Sequence, residues 1–404
     1  METVLTNRGI KLEDVENYLN TTEDDILDPK EIKNIECGVK LLMSHIQANH
    51  DIFIQVDADT DGFTSAAVLI NYLNRLFPSF VNNHIKYRVH EEKQHGIILE
   101  TIPKNAKMVI IPDAGSNQYE EHKILHDNGI DVLVIDHHEA DYESLYACVI
   151  NNQLCDYPTK SLSGVGMVYK FCCYIDQLLP DNKKCVDDFR DLVSLGLISD
   201  MMSLIDFETR HLVDTGLMKL NNGFFKYMAQ KQSFSLKGEL TPFGIAFYIT
   251  PYINATIRTG TLEEKYLLFE SMLDHKGNIK IPSTKRGHTG EEETIIEQAC
   301  RNSINIKNRQ TKAEEVNLEI IEQKINEENL LSNKILIIKF FEEDNINKNL
   351  TGLFANQLMA KYHKPVMILT ERENNWEGSA RGFANIGFES FKDFILKSSF
   401  ANWA

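Results

Sequence analysis

The sequence of 404 residues is poor in basic side chains, with 42 lysines and arginines against 59 aspartates and glutamates. Its formal net charge of -17 at pH 7 excludes a protein that coats nucleic acid through non-specific positive charge. Any contact with nucleic acid must therefore come from a local basic groove on an acidic body. A metal site rich in carboxylates would account for part of the acidity.

Cysteines and long apolar runs are also scarce. The 7 cysteines are odd in number and include no Cys-x-x-Cys pair, which is typical of a reducing compartment rather than of a disulfide framework. The longest apolar runs, such as residues 335–338, fall far short of the ~20 residues that a membrane helix requires. The first residues lack a basic segment followed by an apolar one, so no signal peptide is expected. We therefore expect a cytoplasmic protein with no membrane segment.

Short apolar runs alternate with helical stretches after a polar helical segment at residues 1–50. An apolar content of 43% is ordinary for a globular protein, and this length predicts two or three domains. Strands are predicted at residues 53–56, 108–111 and 132–135. The alternation indicates parallel strands that are joined by right-handed crossovers and covered by helices on both faces. We therefore predict an α/β fold with a parallel sheet.

A second, smaller α/β unit is predicted in the last part of the sequence. Between the two units the pattern predicts an irregular segment at 243–258, a mobile loop at 274–293 and a solvated connecting helix at 293–329. The smaller unit is predicted to contain a strand at 334–340, a helix at 350–362, a strand at 366–369 and a turn into 376–381. The predicted divisions are 1–50, 51–260, 261–330 and 331–404.

Acidic side chains and histidines follow each of the three predicted strands. They are Asp57, Asp59 and Asp61 after the first strand, Asp113 after the second, and Asp136, His137, His138 and Glu139 after the third. The carboxyl ends of parallel strands meet at one edge of a sheet, where such folds bind ligands. Carboxylates at this density repel one another, and divalent cations are the usual compensation. Mixed Asp and His ligands suit Mn²⁺, with Mg²⁺ or Zn²⁺ as alternatives, and do not suit Ca²⁺. Asp200, which follows another apolar run, could complete the cluster.

A simpler interpretation exists for any one of these residues. A single Asp after a strand is more often a loop former or a helix cap than a ligand. The Asp-x-Asp-x-Asp-Gly segment also resembles the start of a calcium loop, but Val68 occupies the twelfth position, where such loops have Glu. Acids at three successive strand ends, one of them with paired histidines, favour the metal site.

These residues, in this order, resemble the four motifs of the DHH phosphoesterase superfamily: Asp59-x-Asp61, Asp113, Asp136-His137-His138 and Asp200. Later segments are similar to those of RecJ-type single-strand-specific exonucleases. They are Pro251-x-Ile253-Asn254-Ala255-x-x-Arg258, Asn308-Arg309 and Gly378-Ser379-Ala380-Arg381. The resemblance spans roughly residues 50–400. It implies a DHH catalytic domain at 51–260 and a smaller DHHA1-like substrate-binding domain at 331–404, joined by a long helix.

The resemblance also implies a role for each motif residue. The implied metal ligands are Asp59, Asp61, Asp113, His137 and Asp200, with Asp113 as the bridge between two ions. His138 is expected to face the scissile phosphate, and Asp136 to orient a histidine. Many relatives have a histidine where this chain has Gln55, so Asp57 is an alternative ligand for the first ion.

Substrate contacts are predicted from both the residues and the resemblance. The turn at Ser163 and Gly164 opens a helix and could present N–H groups to a phosphate, although close helix packing explains the glycine equally well. The resemblance implies further contacts at Asn254, Arg258, Ser379 and Arg381. A surface ion pair is the alternative for Arg258.

The implied activity is the hydrolysis of single-stranded DNA to 5′-mononucleotides, in the 5′ to 3′ direction, by a water activated between two Mn²⁺ or Mg²⁺ ions. Two alternatives stay open: a phosphodiesterase for short oligonucleotides or cyclic dinucleotides, and a non-catalytic replication scaffold of the same fold. Expected partners are single-stranded nucleic acid and single-strand-binding, replication or repair proteins. Relatives continue with a Gly-Gly-His-rich segment where this sequence ends, so the smaller domain is expected to be either short or truncated.

Overall fold

The computed structural model describes residues 2–91, 94–344, 346–347, 350–372, 375–383 and 390–398. The chain forms two compact units, Met1–Ile306 and Lys307–Ala404. The four-part division predicted from the sequence stays a prediction, and residues 399–404 of its last part lie outside the described residues. No helix within the described ranges is long and apolar enough to cross a membrane.

The first unit is built on a parallel five-stranded sheet with the strand order β2-β1-β3-β4-β5. Its strands are β1 (Ile52–Val56), β2 (Ile85–Val89), β3 (Met108–Pro112), β4 (Asp131–Asp136) and β5 (Cys148–Asn151). The helices that precede β5 are α1 (Glu2–Thr6), α2 (Val15–Leu19), α3 (Ile35–Gln47), α4 (Thr60–Leu76), α5 (Pro78–His84) and α6 (Tyr119–Asp127). After β5 come α7 (Gly164–Gln177), α8 (Arg190–Ser199), α9 (Phe207–Met218), α10 (Gly223–Lys231), α11 (Ser233–Leu236), α12 (Pro242–Tyr248), α13 (Thr250–Thr259) and α14 (Leu262–Ser271).

The central strands are buried on both faces, as the sequence predicted. In β1, Ile52, Ile54 and Val56 join one apolar cluster, whereas Phe53 joins another. Successive side chains of a strand point to opposite faces, so the two clusters mark the two covered faces of the sheet. On the first face, α4 packs against α7 and α8. This packing fixes the carboxyl edge of the sheet against the ends of three helices.

Two segments predicted to be irregular have regular structure. The prediction for 243–258 is wrong, because α12 and α13 occupy most of it. The Thr241 hydroxyl accepts a hydrogen bond from the Gly244 N–H, and Pro242 and Pro251 lie in the first turns of the two helices, where proline is tolerated. Within 274–293, β6 (Lys280–Pro282) pairs in antiparallel fashion with β7 (Glu292–Thr294).

The long helix α15 (Ile295–Glu327) has 33 residues, which agrees with the predicted connecting helix. The second unit adds β8 (Leu336–Phe340), α16 (Thr351–Tyr362), β9 (Val366–Arg372), β10 (Asn375–Arg381) and α17 (Phe391–Lys397). Its sheet has the order β10-β9-β8, with β8 parallel and β10 antiparallel to β9. The segment 376–381, which was predicted to follow a turn, therefore forms most of a strand. Gly378 lies opposite Leu369 there, and a Cβ at this position would overlap the backbone carbonyl of Ile368.

Candidate metal centre

The carboxyl edge of the first sheet gathers the acids and histidines predicted as ligands. Asp57 and Asp59 follow β1, Asp113 follows β3, Asp136 ends β4, and Asp200 follows α8. Their ligand atoms form three groups, each within 4.8 Å: Asp57, Asp59 and Asp113; Asp61, His137 and Asp200; and Asp113, Asp136, His137 and His138. Asp113 and His137 each belong to two groups. Glu139, the remaining acid of the third strand end, is exposed and belongs to none of these groups.

Asp113 lies at the centre of the cluster in an uncommon backbone conformation. Its φ is 70°, in the left-handed region, and its N–H donates to the Ile135 carbonyl at 2.8 Å. The side chain is buried, and Oδ1 has no hydrogen-bond partner among the described residues. A Cβ at Gly164 would overlap this carboxylate, so glycine at that position keeps space for it.

Asp61 is held by the first turn of α7. The Ser163 hydroxyl donates to Asp61 Oδ1 at 2.8 Å, and the Gly164 N–H donates to Oδ2 at 2.6 Å. Ser163 is fully buried. Ser163 and Gly164 therefore orient an acid in this structure, and their predicted contact with a substrate phosphate stays a prediction that this geometry does not favour.

His137 points its Nε2 atom at the carboxylates. Nε2 lies 3.2 Å from Asp113 Oδ1, 3.5 Å from Asp200 Oδ2 and 3.9 Å from Asp61 Oδ2. It is buried and makes no hydrogen bond to a described residue. Burial lowers the pKa of His137, which favours the neutral ring that binds a metal ion.

The next residue, His138, is held differently. Its Nδ1 lies 2.7 Å from Asp136 Oδ1, and its side chain is 59% exposed. Asp136 Oδ2 accepts a hydrogen bond from the Ser116 N–H at 3.0 Å. Burial opposes ionisation of Asp136, but the hydrogen bonds from His138 and Ser116 lower its pKa well below the usual value. The bond to Asp136 raises the pKa of His138 to about 9, so the histidine of the pair that Asp136 orients is His138.

The carboxylates raise one another's pKa values. Burial, followed by repulsion from Asp61, raises the pKa of Asp59 to about 6 and that of Asp200 to about 7. The same two causes raise the pKa of Asp113 well above its usual value. These buried acids repel one another. In addition, Asp113 Oδ1 and His137 Nε2 have no hydrogen-bond partner among the described residues. Such a site fits divalent cations of the Mn²⁺ or Mg²⁺ type.

Two histidines near Asp57 were missed by the sequence reasoning. His95 Nδ1 lies 2.9 Å from Asp57 Oδ2, and His90 Nε2 lies 3.7 Å from Asp57 Oδ1. Both follow β2, whose carboxyl end lies at the same edge of the sheet. Recognising β2 as a strand would have predicted them.

The other predicted substrate contacts are spread over both units. Asn254 on α13 accepts a hydrogen bond from the Thr60 hydroxyl at 2.8 Å, directly beside Asp59. Arg258 lies exposed on the same helix. In the second unit, the hydroxyls of Ser379 and Thr351 are 3.0 Å apart, and Arg381 is exposed at the end of β10.

The parallel sheet with this acid and histidine edge is typical of a metal-binding enzyme, and comparisons with known proteins give its family. Residues 51–197 match the model of the DHH family, N-terminal domain. The chain is 38% identical over 402 residues to YorK of Bacillus subtilis (strain 168), a prophage SPbeta protein inferred to be a single-strand-DNA-specific exonuclease; the match covers 98% of this chain and 68% of the relative. It is 27% identical to the single-stranded-DNA-specific exonuclease RecJ of the same organism, over 96% of this chain and 47% of RecJ.

Solved structures share the fold. An exonuclease RecJ bound to manganese matches at 20% identity with a TM-score of 0.69, over 89% of this chain and 85% of that one. RecJ of Thermus thermophilus in complex with Mn²⁺ matches at 20% identity with a TM-score of 0.63, over 84% of this chain and 46% of that one. The chain therefore belongs to the DHH family, among the RecJ-like single-stranded-DNA-specific exonucleases.

Proposed function

We propose that this chain is a metal-dependent exonuclease that hydrolyses single-stranded DNA to 5′-mononucleotides, in the 5′ to 3′ direction. The observation that carries the proposal is that Asp113 shares one group of candidate ligand atoms with Asp57 and Asp59, while its Oδ1 also lies 3.2 Å from His137 Nε2. Its relatives are named as single-strand-DNA-specific exonucleases, which supports single-stranded DNA as the substrate.

Asp61, His137 and Asp200 would hold one cation, and Asp59 with Asp57 would hold the other. Asp113 would contact both. Two such cations, when bound, supply charge stabilisation at the phosphate and lower the pKa of an attacking water. Ser163, Gly164 and the Gly62 N–H, which donates to Asp59 at 2.9 Å, fix the directions of the acids beforehand. This pre-organisation keeps the ligand atoms in place at the moment of reaction.

His138 would act on the substrate itself. Because Nδ1 is bonded to Asp136, Nε2 is the ring nitrogen that can donate to a phosphate oxygen or protonate the leaving 3′ oxygen. In the metal-free chain the hydrogen bond to Asp136 raises the pKa of His138 to about 9, which favours the protonated ring. Asn254, Arg258, Ser379 and Arg381 would contact the strand, with the part at 51–260 as catalytic domain and the part at 331–404 as substrate-binding domain.

A digestion of 5′-labelled single-stranded oligonucleotides across a Mn²⁺ titration tests this proposal. We expect metal-dependent release of labelled mononucleotide from long strands and no release from a matched duplex. Hydrolysis of only dinucleotides or cyclic dinucleotides would favour the short-substrate phosphodiesterase. Absence of hydrolysis with Mn²⁺ bound would favour the scaffold.

A further inference from the structure

Asp57 lies beside nitrogen atoms of one segment, residues 90–91 and 94–96, that follows β2. Besides the contact between His95 Nδ1 and Asp57 Oδ2 at 2.9 Å, the Gly96 N–H donates to Asp57 Oδ1 at 3.0 Å. His90 Nε2 lies 3.7 Å from that same Oδ1, beyond hydrogen-bond distance, and has no hydrogen-bond partner among the described residues. Asp57 and His90 are buried, whereas the His95 side chain is 66% exposed. Both carboxylate oxygens of Asp57 therefore face groups of this segment.

Gln55 determines which nitrogen of His90 carries the proton. Gln55 Nε2 donates to the Arg88 carbonyl at 3.1 Å, and because a carbonyl only accepts, this bond fixes the orientation of the amide. The same Nε2 lies 3.4 Å from His90 Nδ1, so Nδ1 must be the acceptor. The proton of a neutral His90 is then on Nε2, the nitrogen that lies near Asp57.

A buried lysine of α14 forms hydrogen bonds with the backbone at the start of this segment. Lys265 Nζ donates to the His90 carbonyl at 3.2 Å and also to the carbonyl of Glu91. Lys265 is 2% exposed. These bonds hold the backbone of His90 and Glu91 in place. The position of the His90 ring is therefore fixed by Gln55 on β1 and by Lys265 on α14.

We propose that His95 and His90 are positioning residues that hold Asp57 against the repulsion of Asp59 and Asp113, so that all three carboxylates present ligand atoms to one cation. This inference rests on the proposed metal centre. The ligand atoms of the three acids lie within 4.8 Å of one another, where uncompensated carboxylates turn apart. The hydrogen bonds from His95 and from the Gly96 N–H offset that repulsion and fix the direction of the Asp57 oxygens.

Calorimetric titration of the metal-free chain with Mn²⁺ tests the inference. We expect two ions to bind the wild type, and His95→Ala to weaken one of them about 10–100-fold while leaving the other unchanged. His95→Asn should retain most of the affinity, because its amide nitrogen can replace Nδ1. His90→Ala should weaken the same single ion. His288→Ala is the matched control, since His288 is half-exposed and its Nδ1 lies 2.8 Å from Glu291, outside the metal centre.

The outcomes separate the inference from the function on which it rests. Two ions bound with wild-type affinity by His95→Ala would overturn the inference and leave the metal centre intact. Failure of the wild type to bind Mn²⁺ would overturn both. Equal weakening of both ions by His95→Ala would show that His95 supports the fold and would also overturn the inference.

Discussion

Replacing Asp113 by asparagine should stabilise the metal-free protein and destroy metal binding. Asparagine keeps the shape of aspartate and tolerates the left-handed backbone at φ 70°, where alanine would be strained. In the metal-free chain Asp113 is buried beside Asp61 and Asp59, so it carries either an uncompensated charge or a proton. Holding a proton at pH 7 on a carboxyl of ordinary pKa costs up to about 4 kcal/mol.

The amide introduced by Asp113→Asn carries neither cost, so we expect this substitution to raise the free energy of unfolding in chelator by about 1–4 kcal/mol. The opposite sign holds with Mn²⁺. A unit charge about 4 Å from a charged site contributes about 4 kcal/mol at an effective dielectric of 20, or roughly a thousandfold in affinity. Both ions should be affected, because Asp113 groups with Asp57 and Asp59 and also contacts His137, a proposed ligand of the other ion.

Thermal and denaturant unfolding with chelator and with saturating Mn²⁺ measures both effects. The wild type should gain stability from Mn²⁺, and Asp113→Asn should gain little. Asp24→Asn, which removes an exposed acid far from this edge in sequence, is the control and should show neither effect. A metal-free Asp113→Asn that is less stable than the wild type, or one that still gains wild-type stability from Mn²⁺, would refute the reasoning.

Four further predictions follow from the same geometry. His137→Ala should lose Mn²⁺ affinity, whereas His138→Ala should keep both ions and lose turnover; a near-normal kcat for His138→Ala would contradict its role. Gly164→Ala should cost about 1–3 kcal/mol of stability and weaken Mn²⁺ binding, because the added methyl overlaps Asp113; unchanged calorimetry would contradict this. Asp59 and Asp200, with pKa values of about 6 and about 7, must lose protons to bind a cation, so Mn²⁺ affinity should fall as pH falls from about 8 to about 5. Calorimetry in buffers of different ionisation heat should detect the released protons, and buffer-independent heats would contradict it. For binding of a long single strand, Arg381→Ala should reduce the slope of the log association constant against log salt by about 0.7. An unchanged slope would indicate that Arg381 is a solvated surface residue without a phosphate contact.

The sequence was sufficient to predict the strands that have strong apolar patterns. β1, β3 and β4 are continuous buried runs, and each ends in the acids that the pattern marked. β2 was missed because Lys86 and Arg88 interrupt its apolar residues, and His90 and His95 were missed with it. A strand at the edge of a sheet needs fewer apolar side chains, so its pattern is weaker.

The sequence pattern did not predict contacts between residues that lie far apart in the chain. Ser163 was considered for a phosphate contact because it opens a helix, with close helix packing as an equal alternative. The hydrogen bond from its hydroxyl to Asp61, 102 residues earlier, was not predicted. No local signal distinguishes a helix start that binds a ligand from one that holds an acid of the same protein. The segment 376–381 was predicted only to follow a turn, whereas it pairs with β9, and Gly378 permits the close approach of the Ile368 carbonyl.

The central claim is that one carboxylate, Asp113, serves two cations at the edge of the sheet. Diffraction from Mn²⁺-soaked crystals at the manganese absorption edge tests it directly. We expect two anomalous peaks, one beside Asp61, His137 and Asp200 and one beside Asp59, with Asp113 in contact with both. A single peak, or two peaks of which only one touches Asp113, would contradict the account.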